Sequence, residues 1–371
     1  MREVQQGASV PCCFCVTSVS KSNQLKETNM SHDKAIAAES ELVQLTPDEL
    51  LPILIDAAKC GESVGVEGPP GGGKSEVITQ AALAAGKPIL CPYNLELSDQ
   101  TEGKGIPFRD LDNPAQFVWL KDKRWLQDFA FTNFMDELPR APVPVQGTAA
   151  TLLLENRVDD IYLPKGTWHV WAGNRSSDKA GANRVPTIIY QRCDMYEMVY
   201  SVESQVKYML SQPDMDLLTM RFLRMKGDSA FEFDPNKKIN PTPRSWSTVA
   251  RKLYNNSATP FATIAGKITK GLASELMAFR SLAPTLPSPE EVLLNPTGAR
   301  VPENTSAQFL VTDMLADQAS FNTMDALVEY AKRLPPEFQA KFIKDSMKRD
   351  PSVASTKGFT AWGVKFAEVL R

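Results

Sequence analysis

The stretch Gly68-Pro69-Pro70-Gly71-Gly72-Gly73-Lys74-Ser75 constrains this chain more than any other. It has the form Gly-x-x-x-x-Gly-Lys-Ser. Before it stands an apolar run, residues 63–67, with Val64 and Val66 on one face; this reads as a short buried strand. After it, residues 75–85 carry Val77, Ile78, Ala81 and Ala82 at helical spacing and stop at Gly86. Glycines let successive backbone N–H groups turn inward and approach phosphate oxygens. The helix that follows adds the positive end of its dipole. Lys74 is therefore expected to reach the β- and γ-phosphates of ATP, and Ser75 to ligate Mg²⁺. Gly68 through Ser75, with Glu76 beside them, form the expected nucleotide-binding set, and ATP and Mg²⁺ are the expected cofactors.

Other features of the chain narrow the class. Its 371 residues suggest two domains, or one with appendages. With 41 basic and 44 acidic residues the formal net charge is -3, so nothing global attracts nucleic acid. No apolar run approaches a membrane span and no secretory pattern opens the chain, so a cytoplasmic protein is expected. Residues 1–40 are polar and aperiodic and read as a disordered leader, within which Met30 offers an alternative start. Cys12, Cys13 and Cys15 cluster in that leader, but only His32 and His169 are present to complete a zinc site. His169 lies in an apolar strand and reads as a packed structural residue.

Order is expected to begin at Thr46-Pro47-Asp48-Glu49, a capping box with proline at the first helical position. A second strand is expected at 88–92, around Ile89-Leu90-Cys91, another at 130–135, a helix at 145–155 and a strand at 168–172. From about residue 205 the pattern is helical. The proline-rich segment 283–304 is expected to wrap the surface. The aromatic stripes of the last helices, such as Phe359, Trp362, Phe366 and Val369, read as core.

Two further signals bear on chemistry. Phe134-Met135-Asp136-Glu137 places two carboxylates at the end of an apolar strand. Asp136 is expected to orient Mg²⁺ and Glu137 to polarise the attacking water. Trp171-Ala172-Gly173-Asn174 ends another strand in an amide that can lie between that water and the γ-phosphate.

The order of these signals carries a resemblance. The loop is followed by Asp136-Glu137-Leu138-Pro139-Arg140-Ala141-Pro142, Gln146, Leu163-Pro164, Ala172-Gly173-Asn174 and Pro243-Arg244. Over residues 45–255 this resembles the MoxR-like AAA+ ATPases. It departs at Pro139, where the family usually has Asn. The resemblance implies a P-loop αβα core with a parallel sheet over residues 41–205, a helical lid over 206–275 and a helical C-terminal extension over 276–371. It implies a homo-oligomeric ring, usually a hexamer, with ATP at subunit interfaces. Asn174 would be the sensor 1 residue and Arg244 the sensor 2 arginine. Arg192 would be the arginine finger supplied to a neighbour, with Arg184 the alternative. The function implied is ATP hydrolysis coupled to chaperone-like remodelling of a protein partner, often alongside a von Willebrand A domain protein. A nucleic-acid-associated NTPase motor, or a restriction-type NTPase subunit, is the alternative; a scaffold that binds nucleotide without hydrolysing it is disfavoured by Asp136, Glu137, Asn174 and Arg192.

Overall fold

The computed structural model describes residues 42–90, 93–98, 105–178, 185–234 and 236–366. The expectations for the leader, Met30, Cys12, Cys13, Cys15, His32, Cys91, Val369 and Arg184 lie outside the described residues. The described strands are, in chain order, β1 (Val43–Leu45), β2 (Val64–Glu67), β3 (Tyr93–Asn94), β4 (Ile106–Arg109), β5 (Phe117–Leu120), β6 (Thr132–Asp136), β7 (Arg157–Val158), β8 (Ile161–Tyr162), β9 (Trp168–Gly173) and β10 (Asp194–Met198). Six of them form one sheet in the order β1-β10-β2-β9-β6-β3, with every neighbouring pair parallel. The β4–β5 and β7–β8 pairs are separate antiparallel hairpins.

A parallel sheet buried on both faces needs helices on both. Successive side chains of β9 supply both cores because they alternate. Trp168, Val170 and Ala172 pack with Leu50, Leu54, Val77 and Ile78 of the helices Pro47–Cys60 and Lys74–Ala84. Trp171 points the other way, into a core with Ala149 and Leu153 of the helix Val143–Glu155. The result is the expected P-loop αβα core, followed by helices. Among the described residues no helix is long and apolar enough to cross a membrane.

The sequence reading needs correction in three places. Order begins before Thr46, because Val43–Leu45 pairs with β10 through Val43↔Tyr196. Three residues are too few to show an alternation, so only the neighbouring strand reveals this one. The Thr46 capping box itself is present, with the Glu49 carboxylate accepting from Thr46 N at 2.9 Å. Second, the strand expected at 88–92 is instead β3, while Ile89 makes only an isolated bridge to Thr132. Pro88 lacks the N–H a ladder needs. Third, the segment 283–304 does more than wrap the surface. It forms a helix, Pro289–Leu294, capped by Ser288, and its Val292 is fully buried. Proline there starts a helix, as it does at Pro47.

The helical part has two cores. One runs from Val202 to Phe279 around Trp246 and Phe222, and the other from Val292 to Trp362. The boundaries expected at 205/206 and 275/276 fall inside the helices Val202–Leu210 and Lys270–Leu282. The helix Thr305–Ala316 serves both cores, giving Leu310 to the first and Val311 and Leu315 to the second. Its Asp313 side chain, 1% exposed, meets Arg221 at 3.1 Å and Arg349 at 3.3 Å, one from each side. A carboxylate stripped of water is held only where cations surround it.

His169 is packed, and both ring nitrogens are used. Nε2 lies 2.8 Å from Asn156 Oδ1 and Nδ1 lies 3.1 Å from Asn133 Nδ2, a pattern that the neutral ring with its proton on Nε2 satisfies. Burial pushes its pKa down to about 4 from 6.5. The unfolded chain therefore binds a proton that the folded chain refuses, and stability is expected to fall as pH drops from 6.5 towards 4. Urea unfolding across that range checks this, with His169→Gln expected to flatten the slope.

Candidate functional site

Three parallel strands deliver their C-terminal ends to one place. β2 leads into the loop, β6 ends in Asp136 and β9 ends beside Asn174. Open parallel sheets place their ligand sites at such ends. The loop closes with Gly73 at φ 96°, a left-handed conformation that a side chain at this position would strain. The helix Lys74–Ala84 begins there.

Lys74 is the centre. Its side chain turns back over the loop, and its ammonium donates to Gly68 O at 2.8 Å, Pro69 O at 3.1 Å and Asn174 Oδ1 at 3.0 Å. It is 8% exposed. Burial pulls its pKa down to about 8, against the charges of Glu137, Asp178 and Asp136, which hold it up. Ser75 Oγ donates to Asp136 Oδ2 at 3.4 Å. Burial pushes the Asp136 carboxyl above its ordinary range. Such a desolvated carboxylate gains from a cation beside it. Mg²⁺ typically takes one or two carboxylates, substrate phosphates and several waters. Ser75 and Asp136 fit that need without a protein cage, and are the residues that would hold it.

Glu137 follows with φ 55°, left-handed for a non-glycine residue. Strain of this kind, of order 1–3 kcal/mol, persists where surroundings over-determine it. Here the restraints are visible. The Arg140 guanidinium meets Glu96 at 2.6 Å, Gln146 Nε2 donates to Ala141 O at 3.2 Å, and the Asn174 amide donates to both Glu137 oxygens at 3.4 and 3.3 Å. Burial first, and then the charge of Asp136, raise the Glu137 pKa. Pro139 packs flat on Gly173, where an added Cβ would lie 2.2 Å from the proline Cδ. Proline and glycine are thus a matched pair joining the turn after β6 to the end of β9.

The loop is also held from the helical side. Arg244 N donates to Gly71 O at 3.2 Å, so the start of the helix Pro243–Asn255 rests on the loop. The Arg244 guanidinium is exposed and lines a cleft of about 530 Å³ beside Gly71–Gly73, Ser75 and Glu76. Leu51, Val77 and Tyr208 supply an apolar wall to that cleft. Tyr200 Oη donates to Pro70 O at 2.6 Å.

Lys74, Ser75, Asp136, Glu137 and Asn174 therefore come together, with Arg244 at the cleft. Arg192 does not join them. It precedes β10, and Asp194 sits beside Val64 at the start of β2. The loop leaves the other end of that strand, about 10 Å further on. The Arg192 guanidinium instead donates to Ala150 O. Sequence reasoning missed Tyr200, Glu67, Tyr190 and the cluster in which Arg175 meets Asp178 at 2.9 Å and Glu197 at 2.8 Å. None of them belongs to a short motif; the one available cue was that Arg175 follows Asn174.

No family model matches the chain, and no curated protein matches it. Among solved structures, NtrX from Brucella abortus in complex with ADP aligns at 13% identity with a TM-score of 0.40, over 95% of this chain and 76% of that one. A mutant RuvB of Thermotoga maritima aligns at 16% identity with a TM-score of 0.38, over 72% of this chain and 84% of that one. Likenesses this loose say nothing of what the chain does.

The Pro139–Gly173 contact generates a prediction. Gly173→Ala is expected to cost about 1–3 kcal/mol through overpacking, read as a lower urea midpoint. Pro139→Ala in the same chain is expected to recover part of the loss, because it removes the ring atoms the new Cβ would meet.

Proposed function

We propose that this chain hydrolyses ATP as a MoxR-like AAA+ ATPase, and that it works as a ring, most simply a hexamer, that remodels a protein partner in a chaperone-like way. The observation that carries hydrolysis is the Asn174 amide. Its oxygen meets the Lys74 ammonium at 3.0 Å and its nitrogen faces the Glu137 carboxylate. One side chain therefore spans the place for the γ-phosphate and the place for the attacking water.

The steps follow from the residues. ATP enters with its base against Leu51, Val77 and Tyr208. Its phosphate oxygens replace Gly68 O and Pro69 O as acceptors for Lys74, and the inward N–H groups of the loop meet the remaining charge. Ser75 and Asp136 would hold Mg²⁺, which when bound would neutralise part of the phosphate charge. Glu137 accepts a proton from a water that Asn174 orients, and the water attacks the γ-phosphorus in line with departing ADP. Arg244, seated on the loop through its backbone, reports the phosphate to the helices of the lid.

Arg192 acts in trans in this reading. Its guanidinium is turned to Ala150 O and away from its own loop, which supports a reading in which a second subunit presents it to the γ-phosphate, where an added cation stabilises charge in the transition state. The partner to be remodelled, with a von Willebrand A domain protein as a candidate, comes from the resemblance alone. A nucleotide-binding core, a helical lid and a C-terminal extension remain the proposed division of labour.

The test uses two variants. Glu137→Gln is expected to bind ATP yet lose about 10²–10³-fold in turnover. Arg192→Ala is expected to lose turnover as well. Mixed before assembly, the two should regain activity, because an intact Glu137 then faces an intact Arg192 across an interface. If the mixture stays as inactive as its parts, the shared site is wrong. If Glu137→Gln turns over normally, the catalytic assignment is wrong.

A further inference from the structure

Glu67 is the last residue of β2, and Gly68 follows it. The Tyr190 hydroxyl donates to Glu67 Oε1 at 2.7 Å. Tyr190 is also the last residue of the short helix Thr187–Tyr190, two residues before Arg192. One hydrogen bond therefore joins the strand end that carries the phosphate loop to the segment that carries Arg192. We propose that Tyr190 is a positioning residue that couples these two, so that nucleotide in a chain's own loop shifts the arginine which that chain offers to its neighbour. This rests on the trans role of Arg192 proposed above and adds the route by which one site senses the other.

The segment that carries Arg192 is tied back to this helix. Gln191 N donates to Thr187 O and Arg192 N to Ile189 O, both at 3.1 Å, so Arg192 hangs directly on the helix. The Tyr190 ring stands edge-on to Trp171, with centroids 6.0 Å apart at 71°. Trp171 pairs in the sheet with Gly65 of β2 and lies three residues before Asn174. Tyr190 is thereby fixed against β2 and β9, two of the three strands that feed the site.

The acceptor is also singled out. Glu67 and Glu197 are register partners on neighbouring strands. Glu197 takes its hydrogen bonds from Arg175 at 2.8 Å and Gln44 at 3.2 Å. Among the described residues, Tyr190 is the side-chain donor to Glu67. Losing that hydroxyl would leave a half-buried carboxylate beside a second one with no donor of its own, which makes the bond costly to break.

The driving displacement is at Gly68. Its carbonyl accepts from Lys74 at 2.8 Å. When phosphate takes over Lys74, Gly68 is released, and Glu67 is the residue joined to it. A shift there either pulls Tyr190 along or breaks a 2.7 Å bond.

Hydrogen exchange on the full chain tests the coupling, with Mg²⁺ and a non-hydrolysable imido analogue of ATP as the probe. In the wild type, peptides over 68–75 and over 187–193 are both expected to change their exchange on adding the probe. In Tyr190→Phe the change at 68–75 should persist and the change at 187–193 should disappear. Glu67→Gln keeps an oxygen acceptor and should restore the wild-type pattern, whereas Glu67→Leu should behave like Tyr190→Phe. A response at 187–193 that survives in Tyr190→Phe overturns the coupling, as does a wild type that responds at 68–75 alone. No response at 68–75 in the wild type would instead remove the nucleotide reading, and the coupling with it. Turnover supplies a second readout: Tyr190→Phe is expected to lower kcat with ATP affinity unchanged, and a loss of affinity instead would mark the bond as merely structural.

Discussion

The Lys74 ammonium sits 8% exposed with three oxygen acceptors around it. A charge so far from water must be met by fixed dipoles or by opposite charge. Two of its acceptors are loop carbonyls and the third is the amide beyond β9, so one cation holds the ends of β2 and β9 in register. The acids that steady its charge, Glu137, Asp178 and Asp136, come from the ends of β6 and β9. The site is thus a loop closed on its own lysine. The phosphate oxygens of the nucleotide proposed above would be stronger acceptors for that lysine than carbonyls are.

The rest of the molecule is arranged around that loop. On the sheet side, Pro139 on Gly173 and the Asn174 amide lock the strained Glu137 turn to β9. On the helical side, Arg244 N and Tyr200 Oη hold Gly71 O and Pro70 O, at 3.2 and 2.6 Å. Helices that rest on the loop by such bonds cannot ignore its movement. The last core is joined to them through the buried Asp313, where Arg221 and Arg349 meet one carboxylate. A displacement at the loop can therefore travel into the helical cores without any long flexible link.

Much of this was legible residue by residue. The loop, the acidic pair and the strand-ending asparagine are each local and each stands at the C-terminal end of a strand, but the sheet orders them loop, asparagine, acidic pair, because β9 lies between β2 and β6. The packing of His169 is legible too, because the residues around it in its strand are apolar. Other features were not legible, for reasons that differ. β1 is three residues long and exists because β10 offers it a ladder. The helix Pro289–Leu294 hid behind prolines that mark both loops and helix starts. Pro139 departs from the resembled pattern for a reason that only the fold shows, since it packs on Gly173, far along the chain.

The sequence by itself determined that a glycine-rich loop, a lysine and two carboxylates exist at strand ends, because phosphate binding needs consecutive residues and consecutive residues can be read. It also determined where most strands and helices lie, because apolar periods of two and near four are local properties; their layering was only what the resemblance implied. Tertiary structure alone decided that Asn174 spans Lys74 and Glu137, that Tyr190 reaches Glu67, and that Arg192 stands away from its own loop. Those facts are distances between residues remote in the chain, set by how the sheet and its helices pack, and no window of sequence contains them.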